Sequence, residues 1–397
     1  MQPARQLYTI LIFISALLWF GRLAVAGEEF WSLSQPHTQG VNEAILQRLH
    51  QEFQDGSHGY IDSFLVIKNG QLVFEEYYEN DYHYLTTGRK ETQAETMRSN
   101  YGDLARPQYN YYDPDWHPYY RHTHLHTIQS VSKSVTSALI GIAIGRGEIP
   151  HVDIKIVDYF PEYKSLFSDW RKQSITLRHL LTMTAGIKWD EFSFKYTDPL
   201  NNAASMESSN HWIEYVLSQP MEREPGETFA YNSGITMLLS HVLYQATGMH
   251  AEEYAKNYLF EPLGIKEFYW KKTPIGLTDA EGGLYLSSRD FAKIGYLYLK
   301  KGAWDNEQIL NEEWVKSTML PHTSILGSKR RYGYQWWLVP YAGGRDQWAY
   351  SGSGYGGQYL IVLPEYAMIL VFTGWNIFDV TRPTIEYLIS RVLKSVQ

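Results

Sequence analysis

Two hairpin signatures, one near each end of the chain, constrain the fold more than any other feature. "SFLVIKNGQLVFEEYY" (Ser63 to Tyr78) alternates apolar and polar residues on either side of Asn69-Gly70, a dipeptide suited to a tight turn because both residues tolerate positive φ. "QYLIVLPEYAMILVFTGW" (Gln358 to Trp375) gives two further strands around Pro364 and Glu365. A final segment, beginning near Thr381 with Pro383 in its first turn, sets Ile385, Leu388, Ile389, Val392 and Leu393 at the spacing of an amphipathic helix. The simplest assembly pairs the two hairpins in one antiparallel sheet and backs it with this helix. The middle of the chain, about 129–270, then reads as a mainly helical lobe inserted into a discontinuous α+β body, about 27–128 and 271–397. No internal repeat and no Gly/Ser- or Pro-rich linker divides the 397 residues into autonomous units.

Composition narrows the chemistry. The chain is 44% hydrophobic and 20% charged, an ordinary globular balance, and its formal net charge of -8 gives no support to a nucleic-acid partner. It has no cysteine, so disulfides, thiolate metal sites and a cysteine nucleophile are excluded. Residues 1–26 present Arg5, an apolar run from Leu7 to Gly21, and Ala24-Val25-Ala26 in the order of a cleaved export signal. Arg22 keeps an uncleaved N-terminal anchor as the rival reading. The expected location is therefore exported, periplasmic, with membrane contact only through this segment if it is retained.

"QSVSKSVTSALIG" (Gln129 to Gly141) puts a serine and a lysine three residues apart in a stretch of small and apolar residues. Such a helix is expected to be surrounded by protein, and a lysine is almost never buried without a partner or a task. Ser130 and Lys133 lie about one turn apart and face the same way, so the lysine can tune the hydroxyl as a nucleophile. Unaided, the pattern is also compatible with Lys133 snorkelling to the surface. "PGETFAYNSG" (Pro225 to Gly234) places Tyr231 just ahead of an apolar helical run. A phenol can act as a base only if a cation favours its phenolate, and Lys133 would supply that charge. "WAYSGSGYGG" (Trp348 to Gly357) runs into a strand. Its GxGxxG match is not a dinucleotide fingerprint, which needs a helix to follow.

In this order these segments resemble the serine β-lactamase and penicillin-binding-protein superfamily, most closely its class C-like branch of β-lactamase-related esterases and amide hydrolases. "LRHLLTMTAGIKWDE", "EGGLYLSSRDFAKIGYLYLKKGAW" and "YGYQWW" extend the resemblance over nearly all of the chain after the leader. It implies a β-lactamase/transpeptidase-like fold, an antiparallel sheet flanked by helices with a helical lobe, and no metal or cofactor. It makes Ser130 the acylated nucleophile, Lys133 its activator and Tyr231 the proton shuttle. The oxyanion hole would be the N–H groups of Ser130 and Tyr355, with Ser353, Gly354 and Ser233 as further substrate contacts.

Two departures bear on the substrate. The tyrosine motif carries Ser233 where the family often has asparagine, with Asn232 one place earlier. The third motif, Gly352-Ser353-Gly354 or in the alternative register Tyr350-Ser351-Gly352, lacks the leading Lys or His that helps bind a substrate carboxylate. The second departure weakens the case for penicillin turnover, and the acyl transfer to serine that remains favours a small-molecule or peptide-like ester or amide substrate, as in the 6-aminohexanoate-dimer hydrolases. A D-alanyl peptidase, a β-lactamase and a catalytically silent binding relative remain alternatives. His122, His124 and His126 would share one face if extended, as a metal site requires, although the resemblance assigns none. The polar, tyrosine-rich segment 79–120 reads as an insertion, either a substrate wall or a loop packed on the body.

Overall fold

The computed structural model describes residues 30–102, 106–341, 347–378 and 382–397. The leader expected over residues 1–26 lies outside them. Among the described residues no helix is long and apolar enough to cross a membrane.

The two terminal hairpins do pair. Strand Ile61–Lys68 turns through Asn69 and Gly70, at φ 53° and 79°, into Gln71–Tyr77. Its other edge pairs antiparallel with Met368–Gly374, which is followed outward by Gln358–Leu363, Trp348–Gly354 and Trp337–Pro340. Two short strands, Arg331–Tyr332 and Thr323–Ser324, complete an eight-stranded antiparallel sheet.

Both faces of this sheet are covered, as the family resemblance implied, whereas the hairpin and helix pattern by itself suggested a single backing helix. Phe64, Val66, Ile361, Leu370 and Phe372 point to one side and pack with Leu46, Leu49, Leu388 and Val392 of helices Glu43–Gln54 and Ile385–Leu393. Leu65, Ile67, Leu360, Ile369 and Val371 point to the other side, beneath Phe291, Ile294 and Leu297 of helix Ser288–Leu299. Alternation along the central strands therefore separates two apolar sets instead of apolar from polar, and strand Ile61–Lys68 is buried almost throughout. Each fully buried large side chain contributes about 1.5–3 kcal/mol. The C-terminal helix starts one turn later than expected: Thr384 caps it by accepting from the Tyr387 N–H, so Pro383 precedes the cap.

Between residues 129 and 268 the chain forms helices and 3-10 turns, with Ser132–Gly145 and Ser233–Thr247 packed together at the centre. A small sheet of His126–Thr127, Leu284–Leu286 and Tyr269–Trp270 ties this lobe to the main body. The 79–120 segment opens with helices Tyr82–Leu85 and Arg89–Tyr101. Its later tyrosines are drawn inward: Tyr109 and Tyr111 are buried, and Tyr111 donates to Glu207.

Candidate active site

The site begins where the buried helix meets the sheet. A 3-10 turn, Gln129–Val131, leads into Ser132–Gly145, whose small residues allow protein to close around almost every position. The adjoining strand approaches this turn closely because it carries glycine. A β-carbon at Gly352 would lie 2.3 Å from Val131 Cγ1, and one at Gly354 would lie 2.5 Å from the Ile128 carbonyl oxygen. Ser130 is thereby held beside the strand edge. The neighbouring strand Trp337–Pro340 pairs only as far as Ser351. Beyond that pair the edge is open, with Ser353 and Tyr355 half-buried along it. The Ser130 N–H lies in the first turn of its helix, where the helical ladder supplies no acceptor.

Lys133 is 1% exposed, and its ammonium uses three acceptors: Ser130 Oγ at 2.9 Å, the Glu281 carbonyl oxygen at 2.7 Å and Glu281 Oε2 at 2.9 Å. Burial alone would push this lysine down. The charge of Glu281, helped by Tyr231 and Glu191, outweighs burial and holds it above the usual lysine range. Lys133 is therefore an ammonium throughout the neutral range.

Tyr231 closes the trio. Its ring is stacked on Trp337 at 5.7 Å and lies 5.2 Å from Phe192, its hydroxyl is near enough to Ser130 for the serine to favour its ionised form, and Lys133 Nζ sits 5.3 Å from the ring centre. The sequence led us to expect phenolate here. Burial raises the phenol more strongly than Lys133 lowers it, and Glu191 adds to the rise, so the net shift is upward. The resting pair is an ammonium and a neutral phenol.

The structure separates the two residues after Tyr231. Asn232 is the cap of helix Ser233–Thr247, accepting from the Ile235 N–H at 3.1 Å. Ser233, expected to contact substrate, is buried and donates its hydroxyl to Glu191 Oε1 at 2.9 Å. It is engaged inside the protein. Gly354 is buried against the turn that precedes Ser130, so its part is close approach.

Sequence reasoning missed a set of buried carboxyls. Glu281 is the partner of Lys133. Glu191 accepts from the Trp189 indole at 2.6 Å and from the Ser233 N–H at 2.9 Å. Glu207 accepts from the Tyr111 hydroxyl at 2.7 Å and feels the charge of Glu281 beside it. Burial, reinforced by Glu281, pushes Glu207 well up, so it is the protonated member of that pair, while Lys133 holds Glu281 down against burial. The available signal was an acid set directly before Gly-Gly in the otherwise apolar "AEGGLYL", since a charge buried there must have a partner.

The alternate histidines do not converge. Arg121 and His122 have positive φ, so the segment is not extended. His126 is buried against Asp62 at 2.9 Å, whereas exposed His122 and His124 meet Asp115 and Glu267. His122 instead joins His83 and Asp115, with ligand atoms within 4.8 Å of one another on the surface.

Among proteins of known sequence, the chain is similar to the 6-aminohexanoate-dimer hydrolase of Paenarthrobacter ureafaciens, with 24% identity over 268 residues. The match covers 62% of this chain and 65% of that relative, slightly less than two thirds of its length. Among solved structures, a family VIII carboxylesterase superposes with a TM-score of 0.61 at 13% identity, covering 92% of this chain and 98% of the other. An octameric penicillin-binding protein homologue from Pyrococcus abyssi gives 0.60 at 19% identity, covering 89% and 77%. At these identities the superpositions establish the fold alone. The sequence profile of the beta-lactamase family matches residues 46–376. Spanning most of the molecule and agreeing with the observed sheet and lobe, that match shows that the chain belongs to the beta-lactamase family.

Proposed function

We propose that this protein is a serine hydrolase that cleaves an ester or amide through an acyl-enzyme on Ser130. The observation that carries the reading is the 2.9 Å hydrogen bond from the buried Lys133 ammonium to Ser130 Oγ, with the Tyr231 ring 5.3 Å from the same ammonium. A binding module has no need for a lysine buried against a serine.

The charge states found here suit a shuttle that needs no phenolate at rest. As Ser130 Oγ bonds to the substrate carbonyl carbon, its proton passes to Tyr231 Oη, and the phenol's own proton passes to the leaving oxygen or nitrogen as that bond breaks. Lys133 stabilises the negative charge that develops on Oγ. The carbonyl oxygen is received by the N–H groups of Ser130 and of the Ser353–Tyr355 edge, where each donor is worth about 10²–10³ in rate. Water then takes the place of the leaving group, gives its proton to Tyr231 and releases the acid, while Ser130 recovers its own proton.

Preference for esters or linear amides over penicillins is supported by the absence of a cation at positions 350 and 352. The names of the similar amide hydrolase and carboxylesterase support it too. The test is intact-mass measurement after treatment with a fluorophosphonate, alongside turnover of p-nitrophenyl esters, a linear amide dimer and nitrocefin. Expected are one adduct, turnover of esters or amide without nitrocefin, and loss of both adduct and turnover in Ser130→Ala by about 10⁴-fold or more. A Ser130→Ala protein that keeps its adduct would remove Ser130 from the mechanism. We also propose that residues 1–26 form an export leader; an exported chain whose mass begins at Met1 would show that it is retained.

A further inference from the structure

A cavity of about 640 Å³ adjoins the proposed reactive centre. It is of the size that takes a small organic ligand. Its link to the centre runs through three residues. Tyr355 opens the turn after the strand edge beside Ser130, Phe192 contacts the Tyr231 ring, and the Tyr196 ring lies 5.1 Å from Tyr355. The far wall is supplied by the 79–120 insertion and by the segment that follows the last strand.

The cavity is cationic. Arg89, Lys195 and Arg382 line it, and all three are exposed. Arg89 is held over the Phe378 ring at 4.7 Å, and neither it, Lys195 nor Arg382 has a carboxylate in ion-pair contact among the described residues. The acid on the wall, Glu191, is turned inward to Trp189 and Ser233. The Trp348–Gly354 strand itself carries no cation. Aromatic rings on one side and three cations at the mouth suit a chain that is apolar near the scissile bond and negatively charged farther out.

We propose that this cavity selects substrates carrying a carboxylate remote from the scissile ester or amide, held by Arg89, Lys195 and Arg382. The proposal rests on the serine-hydrolase reading and deepens it by naming the substrate class. Because the anion is held alike in the ground and transition states, it lowers KM and leaves kcat nearly unchanged.

The test compares matched substrates. One pair places the charge on the acyl side, p-nitrophenyl monoesters of glutaric and adipic acid against uncharged acyl chains of equal length. The other places it on the leaving side, acetyl esters of 4-hydroxybenzoate against those of phenol. Each is measured in the wild type, in Arg89→Gln, Lys195→Gln and Arg382→Gln, and in the triple variant. Glutamine keeps much of the stem that packs on the aromatic wall. Expected is a lower KM for the charged member of at least one pair. That advantage should fall about two- to fivefold per substitution, vanish in the triple variant and weaken with salt, while the uncharged member keeps its kcat and KM. Turnover of both members with no charge preference, or a preference that survives in the triple variant, overturns the proposal while leaving the hydrolase reading intact. No turnover of any ester and no adduct on Ser130 removes the hydrolase reading, and this proposal with it.

Discussion

The outer face of the sheet and the wall behind Ser130 are both fully packed, but they are built from opposite materials. On the outer face Phe64 stacks on Phe372 at 4.8 Å, and charge is confined to the rim, where Arg391 reaches Glu52 at 2.5 Å. Behind Ser130, Lys133, Lys271, Glu191, Glu207, Asp279 and Glu281 are each at most 5% exposed. Burial shifts most of them toward neutrality: Glu207 is raised, Lys271 lowered, and Asp279 moved up to about 7. Lys133 and Glu281 resist because they touch. Enclosing such groups is costly, and replacing a buried ion pair with apolar side chains is often neutral or stabilising. The two regions teach that apolar burial carries the fold, while buried charge marks the place where chemistry sets the sequence.

The sharpest way to break this comparison is to remove one partner of the buried pair. Glu281→Gln leaves the Lys133 ammonium without its counter-charge, and stability should fall by about 3–5 kcal/mol in urea unfolding. Burial then dominates at Lys133 and its pKa drops below the ordinary lysine value. Activity should therefore decline as pH rises into the alkaline range, where the wild type, with Lys133 held up, shows no such limb. The combined Lys133→Met/Glu281→Met variant should recover much of the stability and none of the activity. If Glu281→Gln kept the wild-type pH profile, Glu281 would not govern the charge of Lys133.

Phe64→Ala makes the complementary cut. It opens a cavity in the outer layer and should destabilise by about 3–5 kcal/mol, read by urea unfolding, with kcat/KM of the folded enzyme unchanged. A large fall in kcat/KM would mean that the outer layer also positions the site, and the separation drawn above would fail.

The same division explains what was legible in the sequence. Asn69-Gly70 fixed one turn locally, and the apolar runs on either side of it and of Pro364 sufficed to pair the terminal hairpins, because strand burial is written in consecutive residues. Ser130 and Lys133 were legible for the same reason, being one turn apart on one helix. Covering of both sheet faces was not legible in the local pattern and came only through the resemblance, since it depends on helix Ser288–Leu299 returning from far along the chain. Nor was the role of Glu281, 148 residues from Lys133: its apolar surroundings hint that the acid is buried, but they do not say which cation it meets. The protonation of Tyr231 was misjudged because a neighbouring cation can be inferred from sequence, whereas the degree of burial that opposes it emerges only from packing.

The smallest effect belongs to the rim, and it carries the opposite pH signature to a buried acid such as Asp279. The hydrogen bond from Arg391 lowers Glu52 from 4.5 to about 2. A depressed acid contributes stability that is present above its unfolded pKa and lost as pH falls through the folded one, so the window is about 4.5 down to 2. Both partners are partly exposed, at 19% and 32%, so solvent screening reduces the contribution to about 0.2–1 kcal/mol. Glu52→Gln should therefore unfold slightly more easily in urea at pH 7, and the gap from wild type should narrow as pH approaches 3. Asp279, raised to about 7, runs the other way: its contribution is complete below 3.8 and is lost as pH rises toward 7 and beyond. Asp279→Asn should thus flatten the stability profile between pH 5 and 8, a window in which Glu52→Gln shifts the curve without changing its slope. If the two variants altered the same pH range, rim and interior charge would be subject to the same screening, and the contrast between the regions would not hold.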